Sequence, residues 1–192
     1  MTALPQPPTR LLTIAEYAEL GETESGYTEL LEGRVLMSPS PAPDHNVAAV
    51  ALAMQLQPQL PDQVEVILDV DVDLQLAPPD HPGFSRRPDL LIVKRTARRR
   101  VRAGGGMIRA SEVLIVAEVV SPGSRRTDHI AKREEYADAG IPYYWIVDLD
   151  EPVSIIACHL AGEFGYQDPG AVSGSFTTTE PFPARLMLDQ LL

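Results

Sequence analysis

The chain has 192 residues, of which 44% are hydrophobic, and a net charge of −11. This length allows one sizeable core and is too short for two comfortable domains. No apolar run approaches the roughly 20 residues that span a bilayer. The opening MTALPQPPTR lacks the regions of a secretory signal, so we expect a cytoplasmic protein. The single cysteine, Cys158, excludes an internal disulfide and multi-thiolate zinc sites, and its alternating context IIACHL predicts a packed side chain.

The first part of the chain predicts a helix, a hairpin and a second helix. TIAEYAELGE has apolar residues at helical spacing, with Thr13 as N-cap and Gly21 as its end. YTELLEGRVLM reads as two strands joined by a turn at Glu32-Gly33. DHNVAAVALAMQLQPQL predicts a helix with Asp44 as its cap.

The rest of the chain is dominated by strand patterns. QVEVILDVDVDLQL alternates throughout and predicts one long strand, whereas RPDLLIV and EVLIVAEVV are apolar enough to be buried on both faces. The arginine-rich segment between them, with Gly104-Gly105-Gly106, predicts an exposed loop. A turn at Ser121-Pro122-Gly123-Ser124 precedes a helix from near Thr127 to Gly140, and YYWIVDL and VSIIACHL predict two more strands.

These elements predict an α/β fold with a central mixed sheet of about five or six strands flanked by helices. We expect one domain, with its core over residues 11–160 and an accessory segment over residues 161–192.

The charge is distributed unevenly. Between Arg86 and Arg133 lie 13 of the 16 Lys and Arg residues but only four of the 27 acidic residues. Such asymmetry suggests a basic surface that directs a polyanion to one place on an otherwise repelling body. Charge alone equally allows a solvated loop.

Two carboxylates lie in the apolar strand runs. Asp89 opens one predicted core strand and Glu118 lies late in another, although buried carboxylates are costly without a partner. If the strands are neighbours, the two acids meet at one rim of the sheet and begin a site for Mg²⁺, which prefers oxygen ligands. Alternatively, each acid caps a strand end and pairs with an arginine such as Arg86 or Arg87.

The following helix places Asp128, Lys132 and Tyr136 on one face, because they are spaced four residues apart. The short turn before the helix can bring Lys132 near Glu118. There an ammonium would orient or deprotonate a metal-bound water and stabilise developing phosphorane charge. The alternative is an Asp128–Lys132 surface pair worth about 0.3–0.5 kcal/mol.

Several segments of the chain resemble the motifs of known nucleases. Pro88-Asp89, followed in the next apolar run by Glu118-Val119-Val120, is similar to the motif of the PD-(D/E)XK nuclease superfamily. More closely, the chain resembles the Uma-two family of proposed restriction endonucleases. The matching pieces are YTELLEGRVLMSPSPAPDHN, RPDLLIV and AEVVSPGSRRTDHIAKREEYADAGIPYYWIVD, in that order.

The resemblance implies a restriction-endonuclease-like core that binds Mg²⁺ or Mn²⁺ and hydrolyses phosphodiesters to leave a 5′-phosphate. Asp89 and Glu118 would be metal ligands, and Glu29 would complete the acidic cluster. Val120 stands where the superfamily motif has its lysine. In the resembling family that role moves to the following helix, which assigns it to Lys132.

Two further residues are candidates for the same site. His45 matches a histidine of the family and would touch phosphate or metal, or else cap its helix. Asp128 is a candidate because it shares a helix face with the lysine.

DNA is the expected partner, with the arginine-rich loop clamping its backbone without reading sequence. The expected contacts are Arg98, Arg99, Arg100, Arg125 and Arg126. Cutting both strands needs two sites and therefore predicts a homodimer.

Two other classes of function stay open. A nuclease fold can persist as a non-catalytic binding module, which dispersed site residues or a salt bridge filling the site would favour. A purely structural scaffold would bind no divalent ion.

Overall fold

The computed structural model describes residues 10–21, 26–38, 40–121 and 123–192. In these ranges the helices are α1 (Ile14–Leu20), α2 (Pro43–Leu56), α3 (Arg95–Gly104) and α4 (Lys132–Asp138), and a π-helical turn over Thr127–Ala131 leads into α4. The strands are β1 (Thr28–Leu31), β2 (Arg34–Met37), β3 (Val64–Leu68), β4 (Val72–Asp73), β5 (Ser85–Arg86), β6 (Leu90–Lys94), β7 (Ile108–Arg109), β8 (Val113–Val120), β9 (Tyr143–Asp148), β10 (Ser154–Leu160), β11 (Tyr166–Gln167), β12 (Ala171–Ser173), β13 (Ser175–Thr178) and β14 (Ala184–Met187). None of the described helices is long and apolar enough to cross a membrane.

The main sheet is mixed and has the order β11-β10-β9-β8-β6-β3, with β12 also pairing with β10. Strands β8 and β9 are parallel, and their neighbours along this path run antiparallel. The register sets Leu90 opposite Ala117, so the start of β6 lies beside the end of β8. The expected mixed α/β sheet is therefore confirmed.

Both faces of this sheet are covered, which explains the nearly continuous apolar runs of β6 and β8. One face forms the α2 core, where Leu52 packs with Val119, Trp145 and Leu186. The other face forms the α4 core, which includes Tyr136 and Cys158. Cys158 is buried and free, as expected.

A second sheet, in the order β2-β1-β5-β4-β7, lies beside the first. The two strands that bring side chains toward the candidate site are β1 and β5, which pair at Leu30 and Ser85. The C-terminal hairpin of β13 and β14 packs against α2, and its Leu186 is fully buried in the α2 core.

Several local predictions are confirmed. Thr13 caps α1 in a reciprocal capping box with Glu16, and Gly21 ends the helix with a φ of 63°. The turn at Glu32 and Gly33 joins β1 to β2. The helix that begins near Thr127 ends at Asp138 with Ala139 as its C-cap, and Gly140 follows with a φ of 73°, as expected for the residue after the cap.

Three local predictions are wrong. The single long strand is broken at Asp69, whose φ of 54° separates β3 from β4 and sends them to different sheets. Asp44 does not cap α2, because the N-cap is Ala42, which makes no side-chain bond. The arginine-rich loop is helix α3, since arginine is a strong helix former and Ala97 is buried against the sheet.

The hairpin that carries Glu29 depends on Gly33. Its φ is 74°, and an added Cβ would lie 2.8 Å from Leu11 Cβ and 2.9 Å from the Leu12 amide nitrogen. We expect Gly33→Ala to lower the free energy of unfolding by about 1–3 kcal/mol, measured by urea denaturation. Gly104→Ala is the control, because its Cβ would meet nothing within 4 Å. Equal stability of the two variants would contradict this interpretation.

Candidate active site

A cavity of about 440 Å³ opens where the end of β8, the residue before β6, the first turn of α2 and the start of α4 meet. Its lining includes Glu29, His45, Asp89, Glu118, Asp128 and Lys132. The site residues expected near the sheet rim therefore face one space. Each side chain has different hydrogen-bond and ion-pair partners, and these partners determine which of the residues can bind a metal ion or a phosphate.

Glu118 lies on β8 and is 2% exposed. Its Oε1 accepts a hydrogen bond from Tyr136 Oη at 2.7 Å and lies 2.9 Å from Lys132 Nζ. In the described ranges, Oε2 has no hydrogen-bond partner. Burial raises the pKa of Glu118 well above its usual value; the Lys132 ammonium opposes the shift, and the charge of Asp89 adds to it.

Lys132 is buried between two carboxylates. Its Nζ lies 3.1 Å from Asp128 Oδ1 as well as 2.9 Å from Glu118. Burial alone would lower the pKa of Lys132, but the charges of Glu118 and Asp128 raise it above its usual value, so the side chain is a cation. The alternative of an Asp128–Lys132 surface pair is wrong, because Asp128 is 1% and Lys132 8% exposed.

The position of Val120 explains why the cation comes from the helix. Side chains alternate along a strand, so Val116, Glu118 and Val120 share the face toward α4. Val120 is buried in the α4 core. The ammonium therefore enters from the helix above that face. In the connection, Ser121 N donates to Ser124 Oγ at 3.0 Å, while Pro122 of the expected turn lies outside the described residues.

Asp89 is held by the sheet and by α2 rather than by an arginine. Its Oδ2 accepts from Val119 N at 2.7 Å, and its Oδ1 lies 2.9 Å from His45 Nε2. This bond raises the pKa of His45. The capping role considered for His45 is wrong, since no side chain caps α2.

The arginines considered as partners of Asp89 and Glu118 bind other acids. Arg86 Nη1 lies 2.7 Å from Glu29 Oε2, and Arg87 Nε donates to Asp69 Oδ1 at 2.7 Å. The strand-end pairing with these arginines is therefore wrong.

Glu29 belongs to a buried ionic network that the sequence did not reveal. Arg86 binds Glu135 through two hydrogen bonds of 2.6 and 2.7 Å while it also holds Glu29. The other oxygen of Glu29 accepts from Arg87 N at 3.2 Å. Both oxygens are thus engaged. One sequence feature could have indicated this network. Glu135 comes three residues after Lys132, so the two side chains lie on the same face of the helix and point toward the same strand ends.

A family model described as "Putative restriction endonuclease" matches residues 14–186. The chain belongs to the Uma2 family. A crystal structure described as a "putative nuclease belonging to DUF820", from Anabaena variabilis, is similar to it with a TM-score of 0.67 and 17% identity. The alignment covers 94% of this chain and 97% of that one. The search of curated proteins produced no match.

At this identity the likeness concerns the fold. It confirms the expected α/β architecture of the restriction-endonuclease-like type, with a mixed sheet and flanking helices.

The donor set of this Uma2 protein fits a hard divalent ion with few protein ligands. No three His, Cys, Asp or Glu side chains in the described ranges form a ready metal cluster. Asp89 and Glu118 nevertheless face one cavity, and each keeps lone pairs beyond its present bonds. Mg²⁺ commonly binds one or two carboxylates together with waters and substrate phosphates. Glu29 fits this role less well, because the permanently charged Arg86 lies 2.7 Å from its Oε2 and already compensates its charge.

The five arginines expected to bind nucleic acid lie in two places on the Uma2 fold. Arg98, Arg99 and Arg100 are on α3, which follows the far end of β6, about 16 Å from Asp89 for a strand of this length. Arg98 binds Glu65 and Arg100 binds Glu112. Val93, near the end of β6, pairs with Val113 at the start of β8. Helix α3 therefore begins at the opposite end of the sheet from Glu118, which lies near the end of β8.

The other two arginines lie at the site's end of the sheet, shortly after β8. Both Arg125 and Arg126 are exposed. Arg125 binds Asp148 and Asp150, whereas no ion pair joins Arg126 to an acid in the described ranges.

Lys132→Met should destabilise the protein by about 3–5 kcal/mol at neutral pH, because it leaves two buried carboxylates without their cation. Without the opposing ammonium, the pKa of Glu118 rises further above its unfolded value. A raised carboxyl pKa means that the folded state takes up the proton first, so the deficit should shrink as pH falls.

Urea unfolding across a pH series measures this effect. Lys94→Met is the matched control, since Lys94 is exposed, and its change should stay within about 0.5 kcal/mol. A deficit no larger than that of the control would show that Lys132 is not the buried partner of these acids.

Proposed function

We propose that this protein is a metal-dependent phosphodiester hydrolase that acts as a DNA endonuclease. The observation that carries the proposal is the buried Lys132 ammonium beside Glu118, in the cavity that Asp89 also lines. The carboxylates of Glu118 and Asp89 can bind a hard divalent ion. The buried cation near them can stabilise the charge of a phosphate bound to that ion. Membership of the Uma2 family, whose model is described as "Putative restriction endonuclease", supports the same reaction class.

Asp89 and Glu118 would hold Mg²⁺ or Mn²⁺. Such an ion supplies Lewis-acid polarisation of the phosphate and lowers the pKa of a bound water. Lys132, being protonated, would donate hydrogen bonds to the attacking water and stabilise the charge that develops on phosphorus oxygens. The water oxygen would bond to phosphorus and release a proton to solvent, the bond from phosphorus to the 3′ oxygen would break, and that oxygen would take up a proton from solvent, which leaves a 3′-hydroxyl and a 5′-phosphate.

The remaining site residues would act as positioning residues. His45 fixes one oxygen of Asp89, and Asp128 fixes the ammonium of Lys132. Tyr136 directs Oε1 of Glu118 toward the helix. Glu29 would orient Arg86 and the surrounding chain; a direct metal bond from Glu29 requires that the arginine yield one oxygen.

Backbone contacts would come first from Arg125 and Arg126, which are exposed beside the site. Arg98, Arg99 and Arg100 would reach only nucleic acid that extends about 16 Å further, roughly half a turn of B-DNA. Cleavage of both strands would take two copies of the chain in a homodimer. The reaction assigned here suits a cytoplasmic protein.

A non-catalytic binding module is the second candidate, because a salt bridge inside the site is the feature expected of it. The Glu118–Lys132 pair is such a bridge. The bridge engages Oε1 of Glu118, and Glu118 still lines the open cavity, so we favour the catalytic function.

Cleavage of plasmid and single-stranded DNA with Mg²⁺ or Mn²⁺ tests the proposal. We expect wild type to cut, chelation by EDTA to stop it, and Glu118→Ala and Lys132→Ala to lower the rate by about 10²–10³-fold.

Glu65→Gln is the control, since Glu65 is 7% exposed and pairs with arginines at the other end of the sheet. Activity that survives both site substitutions would sink the assignment of this site. Absence of cleavage on every substrate, by a folded wild type, would support the binding module instead.

Metal binding can be tested without any reaction. Mn²⁺ at 100 times its Kd should stabilise the protein by about 2.7 kcal/mol, a melting-temperature rise of roughly 5–10 °C for a chain of this size. Asp89→Asn should lose the shift and Glu65→Gln should keep it. An equal shift in both variants would place the ion elsewhere.

A further inference from the structure

A second cavity, of about 520 Å³, adjoins the candidate active site. The two cavities share Tyr27, Ser38, Ser40, Asn46 and Arg87 in their linings. Among the described residues, those that line the second cavity include none of the carboxylates proposed for catalysis. The proposed reaction therefore leaves this space without a role.

Tyr27 and Arg87 form a flat platform at the shared wall. The Arg87 guanidinium carbon lies 4.1 Å from the centroid of the Tyr27 ring. Arg87 is fixed by its bond to Asp69 Oδ1 at 2.7 Å and by its amide, which donates to Glu29. The ring is therefore held from one side, while Tyr27 as a whole is 41% exposed. A preorganised aromatic surface of this kind can stack a planar ligand.

The chemistry around the platform favours a neutral ligand over a phosphate. Asp71 lines the second cavity, and its Oδ2 lies 3.9 Å from Arg87 Nη1, while Arg87 Nε donates to Asp69 Oδ1 at 2.7 Å. An anion entering here would meet the Asp71 carboxylate beside a guanidinium that two carboxylates already share. The side chains of Ser38 and Asn46 make no hydrogen bond within the described ranges, so they can bind the polar edge of a neutral ring.

We propose that the second cavity binds an unpaired nucleobase next to the scissile phosphate, stacked on Tyr27. The ligand class is single-stranded or locally unpaired nucleic acid, and this inference rests on the function proposed above. A base inside a duplex has both faces covered by its neighbours, so only an unpaired base can lie against an aromatic side chain. The position of the platform beside the cavity of Glu118 places that base beside the reacting phosphate.

Binding measured by fluorescence anisotropy in EDTA tests the inference without cleavage. The probes are a short labelled DNA strand, the same strand as a duplex, and its RNA counterpart, all at one salt concentration. Wild type should bind the single strands more tightly than the duplex. The ratio of the DNA and RNA affinities then shows whether the cavity prefers a base from DNA or one from RNA.

Tyr27→Ala should weaken single-strand binding by roughly 5- to 150-fold, the range of one base–aromatic stack, and leave duplex binding unchanged. Tyr27→Leu keeps an apolar contact beneath Arg87 but has no ring, so it should lose the same affinity. Tyr27→Trp should retain the affinity. Phe164→Ala is the matched control, because Phe164 is 82% exposed and follows the far end of β10.

The inference would be overturned by equal affinity of wild type for single strand and duplex, by retained affinity in Tyr27→Leu, by an equal loss on both probes, or by no binding at all. Tyr27-dependent binding by a protein that never cleaves would instead refute the nuclease proposal and leave the base site standing. Cleavage unaffected by Tyr27→Ala would refute the base site alone.

Discussion

The buried Lys132 ammonium is the constraint on which the site depends. An isolated ammonium is costly to remove from water, so it needs compensating charge at short distance. Glu118 comes from the sheet and Asp128 from the turn that leads into α4, at 2.9 and 3.1 Å. Satisfying both contacts fixes the start of α4 over the end of β8. That placement closes one side of the cavity and presents Asp89 on the other.

A second buried cation ties the two sheets to the same helix. Arg86 on β5 binds Glu29 on β1 and Glu135 on α4, so the second sheet cannot shift without separating buried charges. Together, Lys132 and Arg86 compensate most of the acids that converge near the cavity. Preorganised charge of this kind is what an electrostatic catalyst requires, because little reorganisation is needed when the reacting charge develops.

The count of charged residues along the chain identified a basic segment. It could not predict where on the folded protein the basic side chains would lie. The segment from Arg86 to Arg133 crosses the main sheet twice, in opposite directions, as β6 and β8, so its cations divide among the sheet's two ends and its interior. Arg86 and Lys132 are buried, Arg98 and Arg100 bind local acids at the far end, and Arg126 is exposed near the site. The basic residues therefore do not form the single DNA-clamping loop that the sequence predicted.

The sequence by itself determined the strongly patterned elements. It also predicted that Asp89 and Glu118 would meet at one rim of the sheet if their strands were neighbours, and these strands do pair, as β6 and β8. Helical spacing placed Lys132 on one face with Asp128, and the family resemblance, with Val120 at the motif position, assigned it the role of the motif lysine. The tertiary structure alone decided the break at Asp69, the bond from His45 to Asp89 and the Arg86 partners of Glu29. These contacts join residues far apart in the chain, so no local period or spacing encodes them, and packing overrides local strand preference where two sheets must separate.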